Sequence, residues 1–219
     1  MNLLIDGLPE DVEIGGQTVK IETGFRTGIL FEEMIRDVSL SDTEKIQTAL
    51  GLYFPGVYFD GIEVIQEALD RLFWFYRCGE EPQEMTGSEE DAEEGGGNND
   101  DPPFSYEYDA DYIYAAFLQA YKIDLARHSL HWWQFRALFR ALPEDTQIMK
   151  IIGYRTMKIP AKLPKEQKQH YQRMKRLYRL PQSEDRQQLE SDLSALLMNG
   201  GDPSALLTGG RESWHQTEP

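Results

Sequence analysis

The chain has 219 residues, of which 40% are hydrophobic and 11% aromatic, and its formal net charge is -16. This length and composition predict a folded protein with a substantial core and exclude a wholly disordered or collagen-like chain. No apolar run approaches the roughly 20 residues that span a bilayer. The single cysteine, Cys78, cannot form an internal disulfide. From these two observations together we expect a soluble, intracellular protein that is not inserted in a membrane.

A β-hairpin is predicted near the start of the chain. Residues 12–14 and 19–21 alternate apolar and charged side chains on either side of Gly15-Gly16. Alternation with a period of two about a Gly-Gly turn is typical of a hairpin. Because an isolated hairpin is only marginally stable, we expect it to pack on the helices that follow or to add a strand.

Three helices are predicted between the hairpin and residue 79. The first begins near Phe25, the second follows a capping box from Ser41 to Glu44 and ends at Pro55, and the third begins at Asp60 or Gly61. The apolar residues expected on their buried faces recur at three- and four-residue steps: Phe25, Ile29, Leu30, Met34 and Ile35; Ile46, Ala49, Leu50 and Tyr53; Ile62, Ile65, Leu69, Leu72, Phe73 and Tyr76.

An acidic, glycine-rich segment follows, and no Lys or Arg occurs from Gly79 to Asp111. We predict a disordered linker over residues 80–105, kept extended by its own charge. The alternative is that this segment folds over the basic half of the chain and shields it until a partner arrives. The run from Glu94 to Asp100 has no hydrophobic side chain with which to dock, which favours the linker.

Helical periodicity resumes at Asp109, a predicted N-cap. A second helix ends at Pro143, a third runs from Pro164 to Pro181, and a last amphipathic helix precedes Gly200-Gly201. The apolar residues expected to line these four helices are Ile113, Ala116, Phe117, Ala120 and Tyr121; Trp132, Phe135, Leu138, Phe139 and Leu142; Tyr171, Met174, Leu177 and Tyr178; Leu189, Leu193, Leu196 and Leu197.

The sequence therefore predicts a mainly α protein with an N-terminal β-hairpin or small sheet, interrupted by a disordered acidic linker. Its composition divides it into four segments: 1–79, 80–105, 106–181 and 182–219, the last holding an amphipathic helix and a flexible tail.

No catalytic motif is present, so we expect neither an enzyme nor a cofactor. There is no phosphate-binding glycine loop and no nucleophile elbow. His128 and His131 are spaced to share a metal on one helix face, but no third ligand accompanies them, so we expect no metal. Cys78 follows Trp74, Phe75 and Tyr76 in the sequence, which favours a buried, inert thiol.

Two features favour a binding protein. The first is the aromatic block from Leu130 to Arg140, where Trp132 and Trp133 are adjacent. Neighbours on a helix point about 100° apart, so we expect either that both belong to the core or that one reaches a partner. The second is the basic stretch 162–179, an amphipathic helix that suits nucleic acid or an acidic partner. The negative charge of the whole chain makes nucleic acid the weaker alternative.

The chain resembles the gene-product-fifteen proteins of siphophages and prophages of Gram-positive bacteria over about residues 1–181. The stretches that carry the resemblance are Phe25 to Gly28, Trp74 to Tyr76, Tyr108 to Phe117, Leu130 to Leu138, Leu142 to Asp145, Ile152 to Arg155 and Met174 to Tyr178.

This resemblance implies a tail assembly chaperone in the host bacterial cytoplasm, absent from the mature virion, that binds the tape measure protein and keeps it soluble and extended. Candidate further partners are other copies of the chain, the tail tube protein and a host immune protein. No site residues transfer from the family. From aromatic density we expect the contact to use Tyr112, Trp133, Phe135 and Phe139, with Arg136 and Arg140 at the rim.

Overall fold

The computed structural model describes residues 3–80, 102–160 and 162–181. These residues form a two-stranded antiparallel hairpin and seven helices, so the predicted mainly α fold with an N-terminal hairpin is confirmed. The elements are β1 (Asp11–Ile14), β2 (Gln17–Lys20), α1 (Phe25–Arg36), α2 (Asp42–Tyr53), α3 (Ile62–Tyr76), α4 (Ala110–Tyr121), α5 (Trp132–Arg140), α6 (Gln147–Thr156) and α7 (Lys165–Leu177).

The hairpin packs against α3, as expected of a hairpin that is too small to be stable alone. Its turn residues, Gly15 and Gly16, have φ angles of 58° and 72°, which glycine adopts without strain. The Gly15 amide donates to Glu67 Oε2 at 2.9 Å, and Arg71 Nε of α3 donates to the Glu13 carbonyl at 3.1 Å. Helix α3 therefore holds the hairpin at the end of β1 and at the turn.

The limits of α1, α2 and α3 follow the sequence closely. The predicted buried face of α2 is confirmed for Ala49, Leu50 and Tyr53, although Ile46 is exposed, whereas the buried faces of α1 and α3 are rotated from those predicted. Ser41 and Glu44 form the predicted capping box. Leu30 and Ile35 of α1 are exposed, as are Ile62 and Phe73 of α3. A helical period shows that apolar residues share a face, but where two adjacent faces are both apolar, tertiary packing determines which one is buried. The buried residues of α1 are Phe25, Gly28, Phe31 and Met34, and those of α3 are Ala68, Leu72 and Phe75.

Helices α4, α5 and α7 match predicted helices. Helix α6 was not predicted from the sequence. Helix α6 is short, and Gly153 and the β-branched Ile148, Ile151 and Ile152 lower its helix propensity. Helix α7 begins after Pro164 as predicted, but none of its residues is buried, so its predicted apolar face is not part of the core. The last predicted helix, through Leu197, lies outside the described residues.

Asp109 occupies the N-cap position of α4, but its carboxylate does not cap the helix as predicted. It is buried and pairs with Arg155 of α6, Nη1 to Oδ2 at 2.5 Å and Nη2 to Oδ1 at 2.9 Å. The same guanidinium donates to the carbonyls of Tyr178, at 2.6 Å, and Pro103, at 3.3 Å. Arg155 thus joins α4, α6, the end of α7 and the segment that precedes α4.

One hydrophobic core contains residues from both sides of the acidic segment, including Phe31 and Phe75 before it and Phe117 and Phe135 after it. The predicted linker 80–105 lies mostly outside the described residues, but its described ends contact one helix. Glu80 pairs with Arg140 of α5 at 2.8 Å, and the Phe104 ring lies 4.8 Å from that of Phe139. The segments 1–79 and 106–181 therefore share a single core.

Candidate partner-binding site

Helix α5 begins at a capping histidine. His131 Nδ1 accepts a hydrogen bond from the Trp133 amide at 3.1 Å, and the Gln134 side chain accepts one from the His131 amide at 3.3 Å. Since Nδ1 accepts, Nε2 carries the proton and donates to the Pro9 carbonyl at 3.0 Å. Burial lowers the pKa of His131, which favours this neutral form.

The alternative of a metal shared by His128 and His131 has no geometric support. Both ring nitrogens of His131 bond to backbone groups of the chain. His128 Nδ1 lies 2.9 Å from the Asp124 carbonyl. Within residues 3–80, 102–160 and 162–181, no group of three or more His, Cys, Asp and Glu side chains is placed to hold a metal ion.

Both adjacent tryptophans are buried, in agreement with the expectation that both belong to the core. Trp132 Nε1 donates to the Tyr76 carbonyl, and Trp133 Nε1 donates to the Phe75 carbonyl, each at 2.8 Å. Trp132 also stacks on Tyr76, and Trp133 packs edge-on against Trp74, so both indoles contact the end of α3. They satisfy carbonyls that the last turn of a helix leaves without intrahelical partners.

Phe135 lies at the centre of a stack of aromatic rings. Its ring is within 20° of parallel to those of Phe25, Phe117, Trp132 and Phe139, at centroid distances from 5.0 to 6.2 Å. Phe135 and Phe139 are both buried, as is Trp133. These three predicted contact residues therefore offer a partner almost no exposed surface in this conformation.

Of the other three predicted contact residues, Arg136 and Arg140 line one cavity beside α5, and Tyr112 lies apart from them on α4. Arg136 Nη1 donates to the Tyr76 carbonyl at 3.2 Å, and Arg140 forms an exposed pair with Glu80. Tyr112 is 39% exposed on the outer face of α4. The six residues do not share one exposed face, and their role in binding a partner stays a prediction.

An open groove along α1 is the better candidate site, and we call it the α1 groove. Its first half is an apolar cavity of about 260 Å³ between the start of α1, the start of α4 and the loop after α4. Phe135 forms part of this lining, and three further predicted contact residues, Arg136, Phe139 and Arg140, line the other half of the groove. The lining residues are Phe25, Arg26, Ile29, Tyr106, Ala110, Ile113, Tyr114, Leu125, Ala126 and Phe135.

The second half of the α1 groove is a more polar cavity of about 340 Å³ that lies one helical turn further along α1. Glu32 enters it and accepts hydrogen bonds from the Tyr76 hydroxyl at 2.8 Å and from Arg36 at 2.7 Å. Tyr106 lines both cavities and divides them. The lining residues are Glu32, Tyr76, Phe104, Tyr106, Arg136, Phe139 and Arg140.

No residue of α1 was predicted to belong to a binding site, although Phe25 and Ile29 were predicted on its buried face. Arg26, Ile29 and Glu32 recur at three-residue steps, so their shared face was visible in the helical period. The helical period of α1 could not show that Tyr106 lies beside these residues, because Tyr106 follows the acidic segment in the sequence. Arg26 is held at the rim by a hydrogen bond of 2.6 Å to the Leu125 carbonyl.

Cys78 is half-buried, with a φ of 59°. Burial raises the pKa of its thiol, which keeps it protonated at neutral pH despite the nearby guanidinium groups of Arg136 and Arg140.

Helix α7 presents a second candidate surface, which is positively charged. Between residues 147 and 179 there are ten Lys and Arg and one acidic residue, Glu166. The described residues as a whole carry 22 acidic and 20 basic side chains, because residues 81–101 and 182–219 hold most of the excess negative charge. The described residues are therefore close to neutral overall, and they oppose the positive potential at α7 less than the net charge of -16 for the whole chain suggests.

Comparison with known proteins points to a phage family. The family model described as Bacteriophage Gp15 protein matches residues 4–180, which include every described helix and both strands. No curated protein and no solved structure matches the chain. None of the described helices combines the length and the apolar character needed to cross a membrane. Because the family model covers most of its length, the chain belongs to the bacteriophage Gp15 protein family.

Proposed function

We propose that this protein is a tail assembly chaperone of a siphophage or a prophage of a Gram-positive host. In this role it binds the tape measure protein in the host cytoplasm and keeps it soluble and extended while the tail tube polymerises around it. It is then absent from the finished virion. Membership of the Gp15 family supports a role in the phage, and the α1 groove is the observation that supports binding of a helical client.

The groove suits a client that must be released. A helix in a groove is held by a few apolar side chains at helical spacing. The apolar cavity of about 260 Å³ accommodates one or two such side chains, and charged residues surround it, among them Arg26 and, in the neighbouring cavity, Glu32 and Arg136. A contact of this size binds weakly at one site, so several copies of the chaperone along one client are needed to keep it soluble.

Co-expression with the protein encoded immediately downstream tests this function. If that protein is the tape measure, we expect it to become soluble and to elute with several copies of this chain in size exclusion with light scattering. Ala110→Trp fills the apolar cavity from an exposed position and is expected to reduce the soluble client about tenfold, the loss of one good apolar anchor.

Ala115→Trp is the matched control, because Ala115 is also exposed on α4 but lies outside the groove lining. It is expected to leave the amount of soluble client unchanged. A client that stays insoluble with the wild-type chain contradicts the chaperone function. Equal effects of the two variants contradict the assignment of the contact to the groove.

Binding of nucleic acid through α7 is the second candidate function. The observation that favours it is the exposed helix with Lys165, Lys168, Arg173, Lys175 and Arg176 on its surface. Affinity for a DNA or RNA duplex is then expected to fall about 10³-fold or more between about 50 and 200 mM salt if six or more phosphates are contacted. Arg173→Glu should abolish most of it. Absence of binding at the lower salt concentration, measured by fluorescence anisotropy, excludes this candidate.

A further inference from the structure

We propose that the second cavity of the α1 groove binds the carboxylate of a glutamate side chain of the client, and that Arg136 is the residue that recognises it. This site would supply one polar anchor of a helix bound in the groove, and as an anchor for the client it rests on the proposed function. The affinity of the cavity for a carboxylate can be measured without a client, so the site and the chaperone function can fail separately.

Arg136 is held in the lining of the cavity with most of its hydrogen-bond donors unused. Its Nη1 donates to the Tyr76 carbonyl at 3.2 Å, and its guanidinium lies 5.7 Å from the centre of the Trp132 ring. A guanidinium has several further N–H groups, and among the described residues those of Arg136 have no hydrogen-bond acceptor and no carboxylate partner. Because it is fixed before a ligand arrives, Arg136 loses little freedom on binding a carboxylate, whose planar geometry matches its own.

Glu32 also lines the cavity, and its negative charge is offset within the fold. Its Oε2 accepts a hydrogen bond from the Tyr76 hydroxyl at 2.8 Å, and its Oε1 accepts one from Arg36 at 2.7 Å. The side chain of Glu32 is only 18% exposed, so a ligand in the cavity meets a carboxylate whose two oxygens are both engaged. Its repulsion of a second carboxylate is reduced but not removed, which favours a ligand with a single negative charge.

Of three guanidinium groups at the cavity, two are matched by carboxylates and one is not. Arg36 pairs with Glu32, and Arg140 pairs with Glu80 at 2.8 Å. Arg136 has no such partner among the described residues. These side chains therefore leave an excess of one positive charge, which a single carboxylate neutralises. A phosphate group, with a charge of about -1.5 to -2 at neutral pH, fits this balance less well.

Aromatic side chains form most of the remaining lining. The rings of Phe104 and Phe139 have centroids 4.8 Å apart, and Tyr106 lies beside both. The Tyr106 hydroxyl has no hydrogen-bond partner among the described residues. Burial, and then the Glu32 carboxylate, raises the pKa of Tyr106, so its hydroxyl is protonated at neutral pH and can donate to a ligand. A glutamate side chain suits this lining because its two methylene groups can contact the rings while its carboxylate meets Arg136.

Titration of the full-length protein with N-acetyl-glutamate methylamide, a capped glutamate, tests the site. The readout is the indole N–H signal of Trp132 in a nitrogen–proton correlation spectrum, because this indole lies against Arg136 and donates to the same carbonyl, that of Tyr76. We expect a saturable shift at millimolar concentrations, since the ligand is small. The corresponding capped glutamine has the same shape without the charge and should bind about tenfold more weakly.

Three variants assign the binding to Arg136. Arg136→Gln is expected to weaken binding of the capped glutamate about tenfold, because it removes the unmatched charge. It should fold, since Trp132 still donates to the Tyr76 carbonyl. Glu32→Gln removes the opposing charge and should instead tighten binding about threefold, an effect that misfolding cannot produce. Arg127→Gln is the matched control, because Arg127 is exposed and lines neither cavity, and it should leave the affinity unchanged.

Four results overturn the proposal. They are the absence of a saturable shift in the wild-type protein, equal binding of the capped glutamine, unchanged affinity in Arg136→Gln, and tighter binding of inorganic phosphate than of the capped glutamate. Binding that appears only after the acidic residues of 81–101 are replaced by amides also overturns it, since the chain's own carboxylates then fill the cavity. No client is present in these titrations, so failure of the site is distinguishable from failure of the chaperone function. If both hold, Arg136→Gln is expected to reduce the amount of client solubilised on co-expression.

Discussion

Replacing Arg155 with alanine is expected to lower the free energy of unfolding by about 3–5 kcal/mol, the usual cost of removing one partner of a buried ion pair. The variant leaves the carboxylate of Asp109 buried without its bidentate partner. It also removes the donor for the carbonyls of Tyr178 and Pro103. Urea unfolding followed by far-ultraviolet circular dichroism measures the change.

Arg127→Ala provides the matched control for this experiment. Arg127 also pairs with an aspartate, Asp124, but its side chain is 85% exposed, so its loss should cost less than about 1 kcal/mol. A similar small loss for Arg155→Ala would contradict the role of the buried pair. The double variant Asp109→Asn with Arg155→Met removes both charges and is expected to recover part of the stability, since no unpaired charge is then buried.

The second large effect is expected at Trp132, whose replacement by alanine should lower the free energy of unfolding by about 3–5 kcal/mol. The indole stacks on Tyr76 and fills the space above Gly28, where an added Cβ would collide with the ring. The variant therefore opens a large cavity between α1, α3 and α5 and also removes the hydrogen bond to the Tyr76 carbonyl. Chemical denaturation, followed by circular dichroism, measures the loss of stability. The decrease in fluorescence from buried tryptophan confirms that the replaced indole was in the core.

Two further variants separate the causes. Trp132→Phe keeps part of the apolar contact but loses the N–H donor and part of the ring volume. Because Arg136 still donates to the Tyr76 carbonyl, we expect a smaller loss than for alanine, about 1–2 kcal/mol. Tyr58→Ala, at a side chain that is 99% exposed, should change stability by less than about 0.5 kcal/mol. If Trp132→Ala is no more destabilising than Tyr58→Ala, the tryptophan does not support the core as described.

Local signals in the sequence predicted the parts of the fold that depend on local interactions. The Gly-Gly turn, the Ser41 capping box and the proline that ends α2 act through residues within four positions of one another. Buried faces depend instead on which neighbour a helix meets, so Leu30 and Ile62 were placed in the core wrongly. Helix α6 was missed because its propensity is weak; tertiary contacts compensate, through the burial of Ile148 and Ile151 and the pair of Arg155 with Asp109.

The candidate site was less predictable than the fold, for a related reason. Aromatic density identified α5 as important, and α5 does lie at the centre of the core, but density cannot distinguish a buried cluster from an exposed one. The groove depends on Ile29 and Tyr106, which are separated in the chain by the whole acidic segment. Only their packing against the same face of α5 brings them together, and no short-range pattern encodes that contact.

The contacts of Glu80 and Phe104 with neighbouring residues of α5 have a consequence for the evolution of the chain. Because the fold itself holds these two points together, the connection between them can vary in length at little cost. The entropy of closing a loop rises only logarithmically, by about 0.6 kcal/mol for each doubling in length. Insertions and deletions between residues 81 and 101 are therefore compatible with the same core. Selection on this stretch is free to act on its charge and composition, independently of the architecture on either side.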